Sequence, residues 1–308
     1  MTPGGPSWNL EPIVAGLRDR RAGSEQSPEH EWTAERLPSG RVLGGIVEGL
    51  VAALFPKHFG GPDQTDEGVD YFVGHTLDAA LRLLLEQVRR ELRVAARPPA
   101  EQTEAVDERG ITIVRDFAAG LPGIRAQLEH DIAAAFRGDP AARSLDEVLS
   151  CYPGITAVAH HRLAHALHAL GTPLLARMIA EIAHSATGID IHPGATIGDS
   201  FFIDHGTGVV IGETAIIGKN VRVYQAVTLG AKRFDLDERG ALVKGFPRHP
   251  IVEDDVVIYA GATILGRVTI GRGSVIGGNV WLTRSVPPGS NITQALARSD
   301  VFDAGAGI

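Results

Sequence analysis

The stretch GIDIHPGATIGDSFFIDHGTGVVIGETAIIGKNVRVYQAVTLG, residues 188–230, decides the fold. A branched aliphatic residue returns in it every six positions: Ile191, Ile197 and Ile203, then Ile211, Ile217, Val223 and Leu229. The series resumes at Val252 and continues through Ile258, Ile264, Ile270, Ile276 and Leu282. Two residues before most of them stands a small or branched side chain, such as Ala195, Val209, Ala215, Val227 or Ala262. Six matches neither the helical period nor the simple alternation of one long strand. It matches short flat strands joined by repeated corners, each aliphatic pointing into a narrow prism. Three hexads close one coil, so thirteen hexads give about four coils, roughly 20 Å of prism at a strand spacing of about 4.8 Å. Gly198, Gly212, Gly218 and Asn220 stand where sharp corners need them.

Working outward, residues 1–40 are rich in Pro, Gly, Ser, Glu and Arg and read as a loosely attached arm without periodicity. From 41 to 187 the pattern is helical. Helices are predicted over 42–56, 65–98 and 122–138, with Ser144 as an N-cap, then through ITAVAHHRLAHALHALG and TPLLARMIAEIAHSATG. The prism follows over 188–293 with a loop at 231–249, and a tail runs over 294–308. The fold class is therefore α + β, an N-terminal all-α domain followed by a parallel β-helix of hexapeptide repeats.

The chain has 308 residues, 44% apolar and 21% charged, with a formal charge of −8. That balance argues against nucleic-acid or anionic-membrane partners. No apolar run reaches membrane-spanning length and no secretory signal is evident, so a cytoplasmic location is expected. Cys151 is the single cysteine and reads as a small packed residue. His161, His165 and His168 share a helix face, yet they alternate with Ala and Leu and no acidic or Cys ligand joins them, so no metal is expected.

Interruptions of a solenoid are where chemistry is to be sought. One lies between Ile203 and Ile211, filled by Asp204-His205-Gly206-Thr207-Gly208; the other lies between Leu229 and Val252 and returns through Arg248-His249-Pro250. Counting hexads puts Asp190 and His205 at one prism edge, one coil apart, with the carboxylate in reach of the ring. An imidazole held by a carboxylate is a general base. His249 falls on a different edge, so one chain does not easily bring it to His205, whereas a threefold assembly of prisms can, giving a site shared between subunits.

The runs DHGTG, VIGET and RHP within 188–288, and more loosely GDPAA and SCYPGITAVAHHRLAHAL before them, resemble the serine O-acetyltransferases among the hexapeptide acyltransferases. The resemblance implies left-handed coils, acetyl-CoA as donor, L-serine as acceptor and a place in cysteine biosynthesis. It implies His205 as general base oriented by Asp190, Asp139 and Asp204 for the ammonium and hydroxyl end, and Arg248 for the carboxylate. His249 would come from a neighbouring subunit. Gly230, Ala260 and Gly278 match the positions that line the pantetheine arm, a backbone amide near Gly230 being a candidate oxyanion donor. Lys232, Arg233, Lys244, Arg267 and Arg272 are all available to the CoA phosphates, and the loop at 231–247 is expected to cover the groove. A homotrimer or dimer of trimers, L-cysteine as feedback inhibitor and docking of Ile308 into cysteine synthase are further implications. His192 and Glu213 carry no assigned chemical task. The alternatives are another hexapeptide acyltransferase with a different small acceptor and a zinc carbonic anhydrase-like prism, which needs three convergent histidines.

Overall fold

A computed structural model describes residues 10–25, 36–60, 65–96, 103–233, 237–238 and 240–294. Among the described residues eight helices precede fourteen strands: α1 Leu10–Glu25, α2 Gly40–Leu54, α3 Pro56–Phe59, α4 Asp66–Ala95, α5 Thr103–Gly138, α6 Leu145–Cys151, α7 Pro153–Ala169 and α8 Pro173–Thr187. The strands start with β1 Asp190–Ile191, β2 Thr196–Ile197, β3 Phe202–Ile203, β4 Val210–Ile211, β5 Ile216–Ile217, β6 Arg222–Val223 and β7 Thr228–Gly230. They continue with β8 Ile251–Val252, β9 Val257–Ile258, β10 Thr263–Leu265, β11 Thr269–Ile270, β12 Val275–Ile276, β13 Trp281–Leu282 and β14 Asn291–Ile292.

Up to β13 every third strand pairs in parallel, and β14 joins β12, giving three sheets ordered β1-β4-β7-β10-β13, β2-β5-β8-β11 and β3-β6-β9-β12-β14. All thirteen hexad aliphatics are buried inside the resulting prism, and so are Ala195, Val209, Ala215, Val227 and Ala262. Each sheet is only two or three residues wide. The core is therefore one column of aliphatics per sheet, held apart by corner residues. Among the described residues, besides His205, five residues other than glycine have positive φ at such corners: Ser200, Asn220, Ala226, Asp255 and Asn279; all but Ala226 carry the short polar side chains that tolerate the left-handed conformation best.

The helical half differs from expectation in two places. α5 begins at Thr103, and Pro122 lies inside it. Val106, Ile113, Val114, Phe117, Leu121, Ile124 and Leu128 form its buried stripe, so packing over both halves outweighs the hydrogen bond that Pro122 removes. Within the arm, α1 is helical: Leu10, Ile13, Val14 and Leu17 have the i, i+3, i+4, i+7 spacing of one face, and all four are exposed. Ser144 caps α6 as expected, accepting the N–H of Glu147 at 3.0 Å, and Thr65 caps α4, accepting that of Gly68 at 3.1 Å. Glu91, buried, caps the start of α8 from a distance, accepting the N–H groups of Leu174 and Leu175 at 2.8 Å each. Among the described residues no helix is long and apolar enough to cross a membrane.

A buried ion pair fastens the helices to the prism. Arg162 of α7 donates through Nε and Nη2 to Asp131 of α5 at 2.6 and 2.9 Å. The same guanidinium donates to the carbonyls of Ile197 and Gly198, and Asp131 also accepts the N–H of Phe201. Close approach beside it is made possible by glycine. A Cβ on Gly138 would lie 2.9 Å from Cδ1 of Phe202, and one on Gly154 would collide with the carbonyl of Ile203. Arg162→Met, which strands the Asp131 carboxylate, is expected to cost about 3–5 kcal/mol in chemical denaturation. Asp131→Leu with Arg162→Met should recover all but about 1–3 kcal/mol, the cost of the unpaired Phe201 N–H.

Candidate active site

The end of α5 delivers Asp139 to the prism two turns after Asp131. Asp139 accepts the N–H of Ala141 at 2.8 Å and the hydroxyl of Tyr152 at 2.5 Å. The Tyr152 bond, then the Ala141 bond, hold the Asp139 carboxyl below its ordinary range, and the same bond pushes the Tyr152 phenol up to about 12. Arg222 and His205 are near enough to act electrostatically on Asp139.

Asp204 and His205 come from the first interruption, between β3 and β4. His205 has φ 59° and is followed by Gly206 at φ 89°, so the extra residues fold out as a left-handed bulge. A Cβ on Gly206 would collide with Ile189, which fixes glycine there. The bulge leaves the His205 side chain 73% exposed while Asp204 stays buried. Nε2 of His205 lies 3.9 Å from Oδ1 of Asp204. The other Asp204 oxygen accepts Nη2 of Arg222 at 2.6 Å, and that guanidinium stacks over the rings of Phe202 and Tyr224. The structure thus gathers Asp139, Asp204 and His205 at one edge, with Tyr152 and Arg222 holding the two carboxylates. Neither Tyr152 nor Arg222 stood out in the sequence: one sits beside the lone cysteine, the other at an outward hexad position.

Asp190 is one coil below that bulge, as the hexad count places it, for Gly208 donates to the carbonyl of Gly188 at 2.8 Å and Asp190 pairs with Val210. Its carboxylate is not hydrogen-bonded to His205, however. It points to α8, 4.0 Å from Arg177, and clusters with Glu181 and His184. The bulge is the reason: it carries the ring outward from the column in which Asp190 stands. Arg177 also pairs with Glu181 at 3.0 Å and so already supplies a cation to that cluster.

The second interruption lies on the edge between β7 and β8, distinct from the edge of His205. There His192, Glu213, Arg248 and His249 stack coil upon coil. Arg248 donates from Nη2 to Glu213 at 2.6 Å. Glu213 therefore has a task that the sequence did not disclose, holding the guanidinium. His249 is buried, and its pKa falls to about 4, first through desolvation and next through the adjacent Arg248. His192, His205 and His249 do not converge within one chain, so the three ligands of a zinc prism are not assembled there. Nor do His161, His165 and His168 converge: His161 pairs with His165 at 5.6 Å between ring centroids, and His168 turns to His192 at 6.2 Å.

Ala260 and Gly278 are on the His205 edge in successive coils. The N–H of Asn279 donates to the Ala260 carbonyl at 2.8 Å, and a Cβ on Gly278 would come 3.2 Å from that oxygen. Gly230 belongs to the His249 edge, in register with Leu265. Beside it, Lys232, Arg233, Phe246, Arg248, Leu265 and Arg267 line a cavity of about 220 Å³. Residues 234–236 and 239 of the expected cover lie outside the described residues.

A prism of hexapeptide repeats with an imidazole and two carboxylates at one edge defines a hexapeptide-repeat acyltransferase. The family model for bacterial transferase hexapeptides (six repeats) matches residues 249–284. The plasmid serine acetyltransferase of Synechococcus elongatus is 57% identical over 307 residues, covering 98% of this chain and 96% of that protein. Serine acetyltransferase isoform 3 of Entamoeba histolytica, solved in complex with cysteine, superposes with a TM-score of 0.69 at 32% identity, covering 95% of this chain and 96% of that one. The soybean serine acetyltransferase complexed with serine gives 0.53 at 30% identity, over 84% and 97%. The chain belongs to the serine acetyltransferase family, and its fold is the left-handed β-helix behind a helical domain.

In Arg222→Met the Asp204 carboxylate stays buried but loses its hydrogen-bonded cation, which is expected to cost about 1–3 kcal/mol in chemical denaturation.

Proposed function

We propose that the chain transfers the acetyl group of acetyl-CoA to the hydroxyl of L-serine, giving O-acetylserine and CoA. The observation that carries this reading is the division of charge between edges. Asp139 and Asp204 offer anions at the edge of His205; Arg248 offers a cation at another. A small zwitterion whose hydroxyl branches from the carbon that bears both charges fits such a seam, whereas a sugar has no use for paired opposite charges.

In this reading His205 accepts the hydroxyl proton as the serine oxygen attacks the acetyl thioester, then returns the proton to the departing sulfur. Asp139 and Asp204 hold the ammonium; Arg248, held by Glu213, takes the carboxylate with a planar fork. Asp190 orients His205 once the exposed ring swings inward over it. Because Arg248 and His249 occupy a different edge, the complete site lies between two protomers of a trimer, three sites in all.

The pantetheine arm would follow the low edge of Ala260 and Gly278, facing Gly230 of the adjoining prism. For the phosphates the basic residues separate into two groups. Arg267 is spent on the carbonyls of Thr214 and His249, and Arg272 on Asp254. Lys232 and Arg233 face the cavity beside Gly230 and are the phosphate contacts proposed. L-Cysteine, which has the same two charged ends as serine, would compete for the acceptor pocket. The reading needs no metal. A cytoplasmic location accords with the single Cys151. Docking of cysteine synthase would use Ile308, outside the described residues.

The test follows CoA thiol release with serine, homoserine, threonine and hexosamines in parallel. Serine-dependent release is expected, and His205→Ala should lower kcat by on the order of 10²- to 10⁴-fold. A well-folded protein with no serine-dependent release would refute the reading. Remixed His205→Ala and His249→Ala chains should regain activity; remixed trimers that stay inactive would contradict the shared site.

A further inference from the structure

Thr214 lies in the corner between β4 and β5, under His249. Its backbone N–H is 3.0 Å from Nδ1 of His249, and its Oγ1 is 2.9 Å from the same nitrogen. That oxygen also accepts the backbone N–H of Arg248 at 2.9 Å and of His249 at 3.1 Å. With its acceptor capacity occupied, the hydroxyl has its proton left to give, and Nδ1 is the acceptor within reach. Nδ1 thus receives two hydrogen bonds, and a ring nitrogen that receives them carries no proton. The neutral ring must then be protonated on Nε2. A charged ring would set a third proton against two donors.

The setting is rigid. Nη1 of Arg267 ties the carbonyls of Thr214 and His249 together at 2.6 and 3.0 Å. The Cδ2–Nε2 edge of the ring lies over Gly212, where any Cβ would collide with it. No partner among the described residues takes up Nε2. The ionisable groups facing the ring are Arg248, Glu213, His192 and Arg267. Only Glu213 among them favours a charged imidazole, and its carboxylate is already engaged by Arg248.

We propose that Thr214 is a positioning residue that fixes His249 as a neutral imidazole presenting Nε2–H, so that His249 serves acetyl transfer as a hydrogen-bond donor to substrate oxygen and never as a second general base. The two histidines of the shared site then have separate duties. His205, exposed, exchanges a proton; His249, buried and doubly held, keeps one. The donor role rests on the serine acetyltransferase reading, whereas the tautomer rests on the hydrogen bonds alone.

The test uses the full chain labelled with ¹⁵N-histidine, with the His249 signals assigned by His249→Asn. In the wild type, Nδ1 should show the shift of an unprotonated nitrogen and Nε2 that of a protonated one from about pH 5 to 8. Thr214→Ser keeps the donors and should keep both the spectrum and the activity. Thr214→Val keeps the backbone donor but loses the hydroxyl, so the second tautomer should become populated and the Nδ1 and Nε2 shifts should move towards each other. Its kcat/KM should fall on the order of tenfold to a hundredfold. A wild-type ring protonated on Nδ1, or one titrating near the ordinary value of about 6.5, overturns the proposal; so does Thr214→Val with the wild-type spectrum. Should Thr214→Val fail to fold, the wild-type and Thr214→Ser spectra still decide. Failure of serine acetylation with an unchanged spectrum would count against the function, not the tautomer.

Discussion

The bidentate pair of Arg162 and Asp131 is the constraint on which the site depends. Both side chains are buried, so each is tolerable only because the other is present and because the remaining donors and acceptors find partners. Those partners are backbone groups of the first coil, at Ile197, Gly198 and Phe201. A buried pair of this kind contributes little net stability compared with apolar residues of the same volume. What it contributes is register. The helical domain can meet the prism in one place only, and Asp139, two turns further along the same helix, arrives beside Asp204 and His205. Gly138 and Gly154 serve the same end by letting backbone approach backbone where a Cβ would collide.

Past that seam the prism works as a ruler. Each edge repeats every coil, so a residue at a corner is assigned to an edge by its position in the hexad count. The His205 edge carries the acids, Ala260 and Gly278. The edge of His249 carries Arg248, Glu213, Thr214, Gly230 and the basic cavity. On each edge the opposite charge is already engaged, Arg222 by Asp204 and Glu213 by Arg248. The threefold assembly proposed above would face one edge with the other and so complete the chemistry.

The prism was legible because every hexad aliphatic has one destination, the interior, and burial enforces the period without exception over thirteen positions. The same count put His205 and His249 on separate edges. The orientation of Asp190 was not legible, because two residues in the same column can still point apart when one sits in a bulge. Tyr152, Arg222 and Thr214 were hidden for a related reason. Each acts through a hydrogen bond to a residue far along the chain or in the next coil, and no local spacing marks such a partner. The helix predicted over 122–138 is the second half of α5; the buried stripe upstream, from Val106 onward, carries the helix through Pro122. α1 was missed through its Pro-, Gly- and Arg-rich setting, though its four apolar residues had helical spacing.

A crystal structure of the full chain with L-serine bound tests the central claim most directly. The account predicts the ammonium between Asp139 and Asp204, the hydroxyl facing Nε2 of His205, and the carboxylate on Arg248 of a neighbouring protomer. Serine held entirely within one chain, or with its carboxylate away from Arg248, would contradict it.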